Sequence, residues 1–506
     1  MNDSAIATTE RSQTSAAPPP LPEDHHCPWR EEAQRLRCEL AALRGELAVL
    51  KRMVFGQKSE KMPSVDQELR HDGSRPTDPK DGKQTRKTNA DLMKKLVTCV
   101  INHFVTKDKQ ICPHCESSDF KPLGQGNTTT VFELVPASLQ RQVHVQQTLV
   151  CPCAKTIVTA PGPKKVFPKA RYGPAFIAHL IVTKCADAMG LNRLAQRFRR
   201  QGVPLSRNTL VDLFQRAGKS LRPLADLLLK TIAASDVTQG DATTLRVQAK
   251  GKTLQAYLWT FIAPLEKLIG YRFSLRRNSQ TADAVLGNTQ GVFVADADKA
   301  FNDICGPDGR LRGGCMSHAR RKFFDALPFA SQARQALDFI LALYRVEREA
   351  KDAGIAGTPA HLDLRRLKSG PVMEQFHAWL IAQQPLATPK SPLAKAINYA
   401  LNNWKALGLF LTDARIPLDN NASEQALRIA AQGRKNFLFV GNEEAGHNLA
   451  ALYSLVMTAT AQGHNPENYL ADVLIRIQDL PPSRLHELLP QNWKPSSASP
   501  KIQDSA

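Results

Sequence analysis

The chain has no apolar stretch long enough to cross a membrane. Its longest uncharged apolar runs, residues 175–183 and 449–462, fall well short of the ~20 residues that a spanning helix needs. The polar, Pro-rich residues 1–30 contain no signal-peptide core, and their acids argue against a transit peptide. Ten cysteines among 506 residues are too few and too scattered for a disulfide framework. These absences predict a soluble, cytoplasmic protein without a membrane partner.

Acidic residues are scarce relative to basic ones: 47 Asp and Glu stand against 67 Lys and Arg, a net charge of +20. The imbalance is concentrated in residues 161–222, where thirteen basic residues accompany only Asp187 and Asp212. A block of this kind predicts a polyanionic partner, and nucleic acid is the first candidate. A generally solubilising surface is the alternative, but it would not concentrate the charge in one region.

Residues 31–61 are predicted to form a leucine-zipper-like helix after a disordered tail. Apolar residues recur there at alternating spacings of four and three, the pattern of a coiled coil. They are Leu36, Leu40, Leu43, Leu47, Leu50 and Val54. The pattern favours a homo-oligomer, although a single helix docked on its own chain also satisfies it. Residues 62–91 are rich in Pro, Gly, Lys and Asp without a hydrophobic period, which predicts a linker.

Residues 92–161 contain two close cysteine pairs, Cys112 with Cys115 and Cys151 with Cys153. Strand-like alternation at residues 128–136 and 141–150 lies between the pairs, so four thiolates could meet around a tetrahedral Zn²⁺ in a zinc-finger-like module. The second pair has one intervening residue and a narrower bite, and His114 could replace one ligand. Reduced surface thiols are the alternative.

Residues 162–236 are predicted to be a basic helical DNA-binding region. A turn at residues 202–204 separates two helices, and Ser206 is placed to cap the second one. A helix–turn–helix would direct Arg207 and Asn208 towards base edges. Helix packing without base contact is the alternative. Three further candidate DNA contacts lie on the first helix: Arg197, Arg199 and Arg200.

From residue 237 the pattern changes to four short strands, "GDATTLRVQ", "QAYLWTFIAP", "KLIGYRFSL" and, after a helix, "GVFVAD". The first three are predicted to be antiparallel, and this order opens a ribonuclease-H-like α/β core at residues 237–325. Residues 326–416 read as an all-helical insertion. The core resumes at residues 417–463, followed by a helical segment at 464–494 and a tail at 495–506. The expected fold class is therefore a multidomain α+β protein.

Three acids in this core are candidates for metal-dependent chemistry. Phosphodiester cleavage uses two divalent ions about 4 Å apart, held by carboxylates that converge from separate elements. Asp241 lies on the first strand, Asp296 ends an apolar run, and Glu424 lies on a later helix. Mg²⁺ or Mn²⁺ is the expected cofactor. An exposed Glu424 paired with Arg428 is the alternative for that residue. Asp298 is the alternative to Asp296 as the second acid, but it is expected one turn into the following helix, so the strand-end residue is preferred.

Several neighbours of these acids are candidate supporting residues. "CMSHARRKF" offers Cys315 and His318, which are better suited to positioning the core helix than to binding zinc, because no second pair lies nearby. Asn420 and Asn421 lie on the same helical face as Glu424 and would bond DNA or the carboxylate. The basic residues expected to meet phosphates are Arg320, Arg321, Lys322, Arg428, Arg434 and Lys435.

The blocks "GDATTLRV", "VADADKAFNDI", "CMSHARRKF", "LDNNASEQALRIAAQGRKNFLFVG" and "SLVMTATAQGHNPENYLADVL" together resemble the bacterial transposases of insertion-sequence family 66, of the Asp-Asp-Glu class. The resemblance covers roughly residues 36–493. Carried over by position, the catalytic acids of that family fall on Asp241, Asp296 and Glu424, and its Cys-x-x-His element on Cys315 and His318.

The resemblance implies DNA cleavage at element ends followed by strand transfer into target DNA. It also implies binding to terminal inverted repeats, accessory proteins of the same element and a place near the bacterial nucleoid. Two alternatives remain at this point. A decayed transposase would bind DNA without cutting it, and a structure-specific nuclease with the same core would cut without joining.

Overall fold

The computed structural model of the protein describes residues 32–33, 35–36, 39–40, 62, 64–71, 139, 141–150, 157–168 and 170–495. The four candidate zinc ligands, Cys112, Cys115, Cys151 and Cys153, lie outside the described residues, as does most of the predicted zipper helix at residues 31–61. Among the residues that are described, no helix is both long and apolar enough to span a membrane.

The described part of the chain is a mixed α+β structure with fourteen α-helices and seven strands. The helices are α1 Val65–His71, α2 Pro174–Cys185, α3 Leu191–Arg200, α4 Arg207–Ala233, α5 Ser279–Leu286, α6 Met316–Ala326, α7 Ala333–Asp352, α8 Pro359–Leu364, α9 Gly370–Gln383, α10 Pro392–Asn402, α11 Trp404–Leu407, α12 Asn421–Phe437, α13 Glu443–Ala461 and α14 Pro466–Arg476. The strands are β1 Thr148–Val150, β2 Ile157–Thr159, β3 Val237–Ala249, β4 Lys252–Ala263, β5 Leu268–Ser274, β6 Val292–Val294 and β7 Leu311–Gly313.

Five strands form one mixed sheet in the order β5-β4-β3-β6-β7. Strands β3, β4 and β5 pair antiparallel, as the sequence predicts, while β6 runs parallel to β3 and β7 parallel to β6. The second half of β4 is buried on both faces, which explains its continuous apolar run. A separate antiparallel pair joins β1 to β2. Strand β1 covers only the end of the strand predicted at residues 141–150.

Two hydrophobic cores meet at the sheet. The larger core unites the sheet with α2, α3, α4, α12, α13 and α14. The smaller one lies among α6, α7, α9 and α10 and reaches the sheet at Val237 and Val294. The residues of the predicted insertion, 326–416, therefore form helices with a core of their own, and α6 connects that core to the strands.

Two short elements differ from the sequence-based expectations. Residues 62–91 are predicted to be a linker, yet α1 forms within them because Leu69 is buried and Glu68 pairs with Arg320 at 2.7 Å. Asp298 is expected one turn into a helix, but it is the N-cap of a 3₁₀ turn, Lys299–Phe301, and accepts a hydrogen bond from the Ala300 N–H at 2.9 Å. Ser206 caps α4 as predicted, through the Thr209 N–H at 3.1 Å.

A buried arginine joins the end of α4 to the sheet. The guanidinium of Arg310 has no solvent exposure and donates to the hydroxyls of Thr289 at 2.8 Å and Thr238 at 3.0 Å. It also donates to backbone carbonyls at the end of α4 and on β6, including Ser235 at 3.1 Å and Val292 at 3.3 Å. Burial lowers its pKa from the ordinary value. The buried positive charge is thus compensated by hydrogen bonds to neutral oxygens. Only the forked guanidinium of arginine has enough donors to reach all of them.

We expect Arg310→Lys to lower the free energy of unfolding by about 2–4 kcal/mol, because a single ammonium leaves several of these oxygens without a donor. Urea unfolding followed by circular dichroism measures the change. The matched control is Arg246→Lys on β3, whose side chain is exposed; it should shift stability by less than about 0.5 kcal/mol. Equal losses in the two variants would contradict the role given to Arg310.

Candidate active site

Asp241 and Asp296 meet where two parallel strands run side by side. In the β3–β6 register Gln239 lies opposite Val294, and continuing this register by two residues brings Asp241 alongside Asp296. The residue before Asp241 must be small. A Cβ at Gly240 would lie 2.7 Å from the Phe293 ring, so glycine permits the close approach of the strands here. The strand pairing thus brings together two acids that are 55 residues apart in the sequence.

Glu424 reaches the same region from the first turn of α12. This helix packs on the sheet, and the Tyr271 hydroxyl on β5 donates to the carbonyl of Ala426 at 2.8 Å. The Glu424 side chain is 22 % exposed. One of its oxygens lies 3.6 Å from His318 Nδ1 and the other lies 3.9 Å from an Arg321 nitrogen. Two side chains of α6 therefore flank the carboxylate.

Electrostatics link the three acids. Burial, together with the smaller effect of the negative charges of Asp296 and Glu424, raises the pKa of Asp241 to about 7. The Ala242 N–H, which donates to Asp241 Oδ1 at 2.7 Å, and the charge of Arg277 act in the opposite direction. A carboxyl group with such a pKa, coupled to two other carboxylates, is typical of a site that receives cations.

Cys315 and His318 connect α6 to the beginning of α12. The Cys315 thiol is buried, and its Sγ accepts the Asn420 N–H at 3.5 Å. Ligand atoms of Cys315, His318 and Glu424 lie within 4.8 Å of one another. Burial raises the pKa of this thiol to about 12, so it is protonated at neutral pH. The contact of Cys315 with Asn420 joins the start of α6 to the helix that carries Glu424, and the positioning role of Cys315 and His318 stays a prediction.

The two asparagines before Glu424 differ in their surroundings. Asn420 is fully buried at the N-cap of α12, and neither of its amide atoms has a hydrogen-bond partner among the described residues. Asn421 bonds to Asp419, whose carboxylate accepts its Nδ2 at 2.8 Å and its N–H at 3.0 Å. The Tyr344 hydroxyl donates to the same carboxylate at 2.7 Å. A negative charge on Asp419 would interact favourably with the positive end of the helix dipole at the N-terminus of α12.

Three residues near the acids are not among the candidates that the sequence predicts: Arg277, Arg312 and Tyr344. Arg277 pairs with Asp298, and Arg312 donates to the backbone carbonyls of Asp296 and Asp298. Tyr344 belongs to the helical insertion. No local pattern marks any of them, because their partners lie on distant segments. The pairing of Asp298 with Arg277 leaves Asp296 as the acid beside Asp241.

Most of the predicted DNA contacts are exposed to solvent: Arg197, Arg199, Arg200, Arg207, Asn208, Arg321, Lys322, Arg428 and Lys435. Two are not. Arg320 is buried and pairs with Glu68 on α1. Arg434 donates to the carbonyl and the hydroxyl of Thr244 at 2.8 Å and 2.7 Å, and so holds α12 against β3. In this structure both arginines bind protein groups in place of solvent.

Comparison with known proteins identifies the family. The protein-family model described as "Transposase IS66 family" matches residues 169–448, more than half of the chain. The chain belongs to the IS66 transposase family. The IS66 C-terminal element matches residues 454–491, and the zinc-finger binding domain of transposase IS66 matches residues 109–154.

Two similar proteins come from Sinorhizobium fredii (strain NBRC 101917 / NGR234). The uncharacterized protein y4hP is 30 % identical over 415 residues, which cover 77 % of this chain and 74 % of the relative. The uncharacterized protein y4jD is 29 % identical over 502 residues, which cover 92 % of this chain and 97 % of the relative.

Membership of the IS66 family, with its zinc-finger binding domain, implies a protein that binds nucleic acid. The segment matched to that domain contains both cysteine pairs.

The raised pKa of Asp241 predicts that metal-free protein loses stability as pH rises. The folded-state pKa lies above the ordinary value, so the proton stabilises the fold fully below about pH 4, and this contribution is lost as pH rises through about 7. Asp241→Asn removes the ionised form. With a chelator at about pH 8 it should raise the free energy of unfolding by on the order of 2–4 kcal/mol, a gain that shrinks towards about pH 5.

Thermal unfolding across this pH range tests the expectation. The control is Asp303→Asn, whose side chain is exposed and which should leave the pH profile unchanged. Added Mg²⁺ should raise the melting temperature of the unmutated protein more than that of Asp241→Asn. A pH profile that is the same with aspartate and asparagine at position 241 would mean that this carboxyl is not held as described.

Proposed function

We propose that this protein cleaves DNA at the ends of a mobile element and joins the freed 3′-hydroxyl to target DNA. Asp241, Asp296 and Glu424 are the proposed catalytic residues. The observation that carries the proposal is the convergence of Asp241 and Asp296 on neighbouring parallel strands, electrostatically coupled to Glu424 on α12. The sheet order, three antiparallel strands followed by two parallel ones, supports a ribonuclease-H-like core.

The donor set fits Mg²⁺ or Mn²⁺. Three carboxylates from separate elements supply the hard oxygen ligands that these ions prefer. Glu424 Oε1 is buried without a hydrogen-bond partner among the described residues, and the pKa of Asp241 is raised to about 7, so a cation would relieve both penalties. When bound, two such ions would activate the attacking oxygen and stabilise the leaving oxygen of the phosphodiester.

The residues of the chain fix the orientation of each carboxylate. The Ala242 N–H donates to Asp241 Oδ1 at 2.7 Å, and the Asp298 N–H donates to Asp296 Oδ1 at 3.2 Å, so each backbone contact takes one oxygen of its carboxylate. His318 and Arg321 flank Glu424. Arg321 is exposed, so it can also meet a phosphate of the bound DNA.

The exposed basic residues supply the proposed DNA surface. Helix α3 carries Arg197, Arg199 and Arg200, and α4 begins with Arg207 and Asn208, all of them exposed. Phosphate contacts from these side chains would position the terminal inverted repeats, and the start of α4 would read base edges. Self-association through residues 31–61, accessory proteins of the element and a place at the bacterial nucleoid belong to the same proposal.

Amide variants of the three acids test the catalytic assignment. We expect Asp241→Asn, Asp296→Asn and Glu424→Gln each to reduce strand cleavage in Mg²⁺ by about 10³-fold or more, since each removes a charge needed to hold the ions. Binding of the inverted repeat in a gel-shift assay should stay within about twofold, because no phosphate-contacting residue changes.

The control is Asp298→Asn, because Asp298 is the nearest competing acid and is already paired with Arg277. It should retain cleavage within about tenfold. Normal cleavage by Asp296→Asn with loss in Asp298→Asn would reverse the assignment. Cleavage without joining would identify a nuclease. DNA binding without cleavage by the unmutated protein would leave only the binding function.

We also propose that Cys112, Cys115, Cys151 and Cys153 bind one structural Zn²⁺, on the strength of the match over residues 109–154. Purified protein should contain about one zinc per chain, and Cys112→Ser combined with Cys115→Ser should lose it. Elemental analysis measures the content. Cys305→Ser, a substitution outside the matched segment, should leave it unchanged. Equal zinc in all three proteins would exclude the site.

A further inference from the structure

A groove of about 720 Å³ lies between the basic helices and the segment that follows α12. One wall comes from the end of α2, the start of α3 and the first half of α4. The other comes from residues 436–442 and the start of α13. We call it the α4 groove. Its floor includes Gln248 at the end of β3.

The α4 groove is strongly cationic. Its basic lining residues are Lys184, Arg193, Arg207, Arg216 and Lys219. Among the described lining residues the only acid is Glu444, and Arg222 already pairs with it at 2.6 Å. Arg216 pairs with Asp212 at 3.7 Å, whereas no described carboxylate pairs with Arg193, Arg207 or Lys219. The groove therefore presents unneutralised positive charge, which suits an anionic occupant.

One of these cations is buried. Lys184 is 9 % exposed, and its ammonium lies 3.8 Å from the centre of the Phe437 ring. No described carboxylate pairs with it, and burial lowers its pKa to about 8. A buried ammonium that has no carboxylate partner among the described residues is costly to hold. A phosphate entering the groove would offset that cost.

The opposite wall carries apolar side chains in a strained turn, with Leu438 exposed and Phe439 half-buried. Leu438 has φ +60° and ψ −50°, and the Phe439 N–H donates to the Phe437 carbonyl at 2.6 Å, which closes a γ-turn. Such a turn is strained for a residue other than glycine. Leu438 is nevertheless 66 % exposed at the groove. Neither burial nor backbone preference accounts for leucine here, which points to a contact with a ligand.

We propose that the α4 groove binds single-stranded DNA, with phosphates on the cations of α3 and α4 and unstacked bases against Leu438 and Phe439. This deepens the proposed function and rests on it for the source of the strand. Proteins hold single strands with a cationic groove that also offers an aromatic side chain to the bases, and Phe439 supplies that aromatic side chain here. Duplex DNA would use the cations alone, because its bases are stacked inside and would leave the apolar wall uncovered.

The groove is separate from the candidate acids. Gln248 lies seven residues beyond Asp241 on the extended strand β3, about 23 Å away at ~3.3 Å per residue. A substitution in the groove can therefore be examined without touching the site of cleavage.

The test compares the affinities of a fluorescent oligothymidylate and of a hairpin duplex for full-length protein, by fluorescence anisotropy. We expect Leu438→Gly to weaken single-strand binding about fivefold or more, because a base loses the apolar surface that the leucine side chain supplies, and duplex binding less than about twofold. Glycine accepts the backbone of this turn, so the fold is retained. Lys219→Met should weaken single-strand binding about threefold or more and reduce its salt dependence.

Matched controls are Leu265→Gly, an exposed leucine in a distant turn, and Lys230→Met, an exposed lysine on the same helix α4 outside the groove. Both should bind the two DNAs as the unmutated protein does. Equal weakening of duplex and single strand by Leu438→Gly and Lys219→Met would mean that the groove holds duplex. No weakening of either would exclude it as a DNA site.

The outcome is independent of catalysis. If the unmutated protein binds single strands in the groove but never cleaves, the proposed function fails and the groove stands. If it cleaves and joins while Leu438→Gly binds single strands normally, the groove proposal fails and the function stands.

Discussion

The pairing of β3 with neighbours of opposite direction is the constraint on which the candidate site depends. Strand β3 pairs antiparallel with β4 along almost its whole length and parallel with β6 over only three residues. The long antiparallel pairing fixes the strand, and the short parallel pairing brings the chain after β6 level with Asp241. Because β6 is so short, buried groups beside it help to fix its register. Arg310 donates to the Val292 carbonyl on β6, and Gly240 leaves room for the Phe293 ring.

The mutual repulsion of three nearby carboxylates destabilises the folded protein. The surrounding residues reduce this repulsion without neutralising the negative charge. Backbone N–H groups take one oxygen each of Asp241 and Asp296, and Arg277 pairs with Asp298 in preference to either acid. His318 and Arg321 stand 3.6 and 3.9 Å from Glu424, too far for short hydrogen bonds. Under the proposed function, the remaining negative charge would attract divalent cations, because a fully neutralised site would leave them no anionic oxygen to bind.

The sequence could predict elements whose signals are local. The three antiparallel strands, the helix after them, the Ser206 cap and the helical run after β7 all follow from periodicity and capping residues. Asp241 and Asp296 could be singled out because each lies in or beside an apolar strand. Partners of long-range contacts could not. Arg320 and Arg434 look like surface cations in the sequence, yet Glu68 and Thr244 bind them. The buried Asn420 likewise has its partner on a distant segment, because its N–H donates to Cys315 Sγ at the start of α6.

Helix α12 and strand β3 together set the distance between the candidate acids and the α4 groove. Glu424 lies at the beginning of α12 and Leu438 just after its end, fourteen residues or about 21 Å along the axis. Strand β3 spans the same interval, and Arg434 and the pairing of Val440 with Arg246 join the two elements. Two stiff elements joined in this way cannot change their length independently. A strand bound in the proposed groove would therefore be held at a fixed separation of about 21 Å from Glu424.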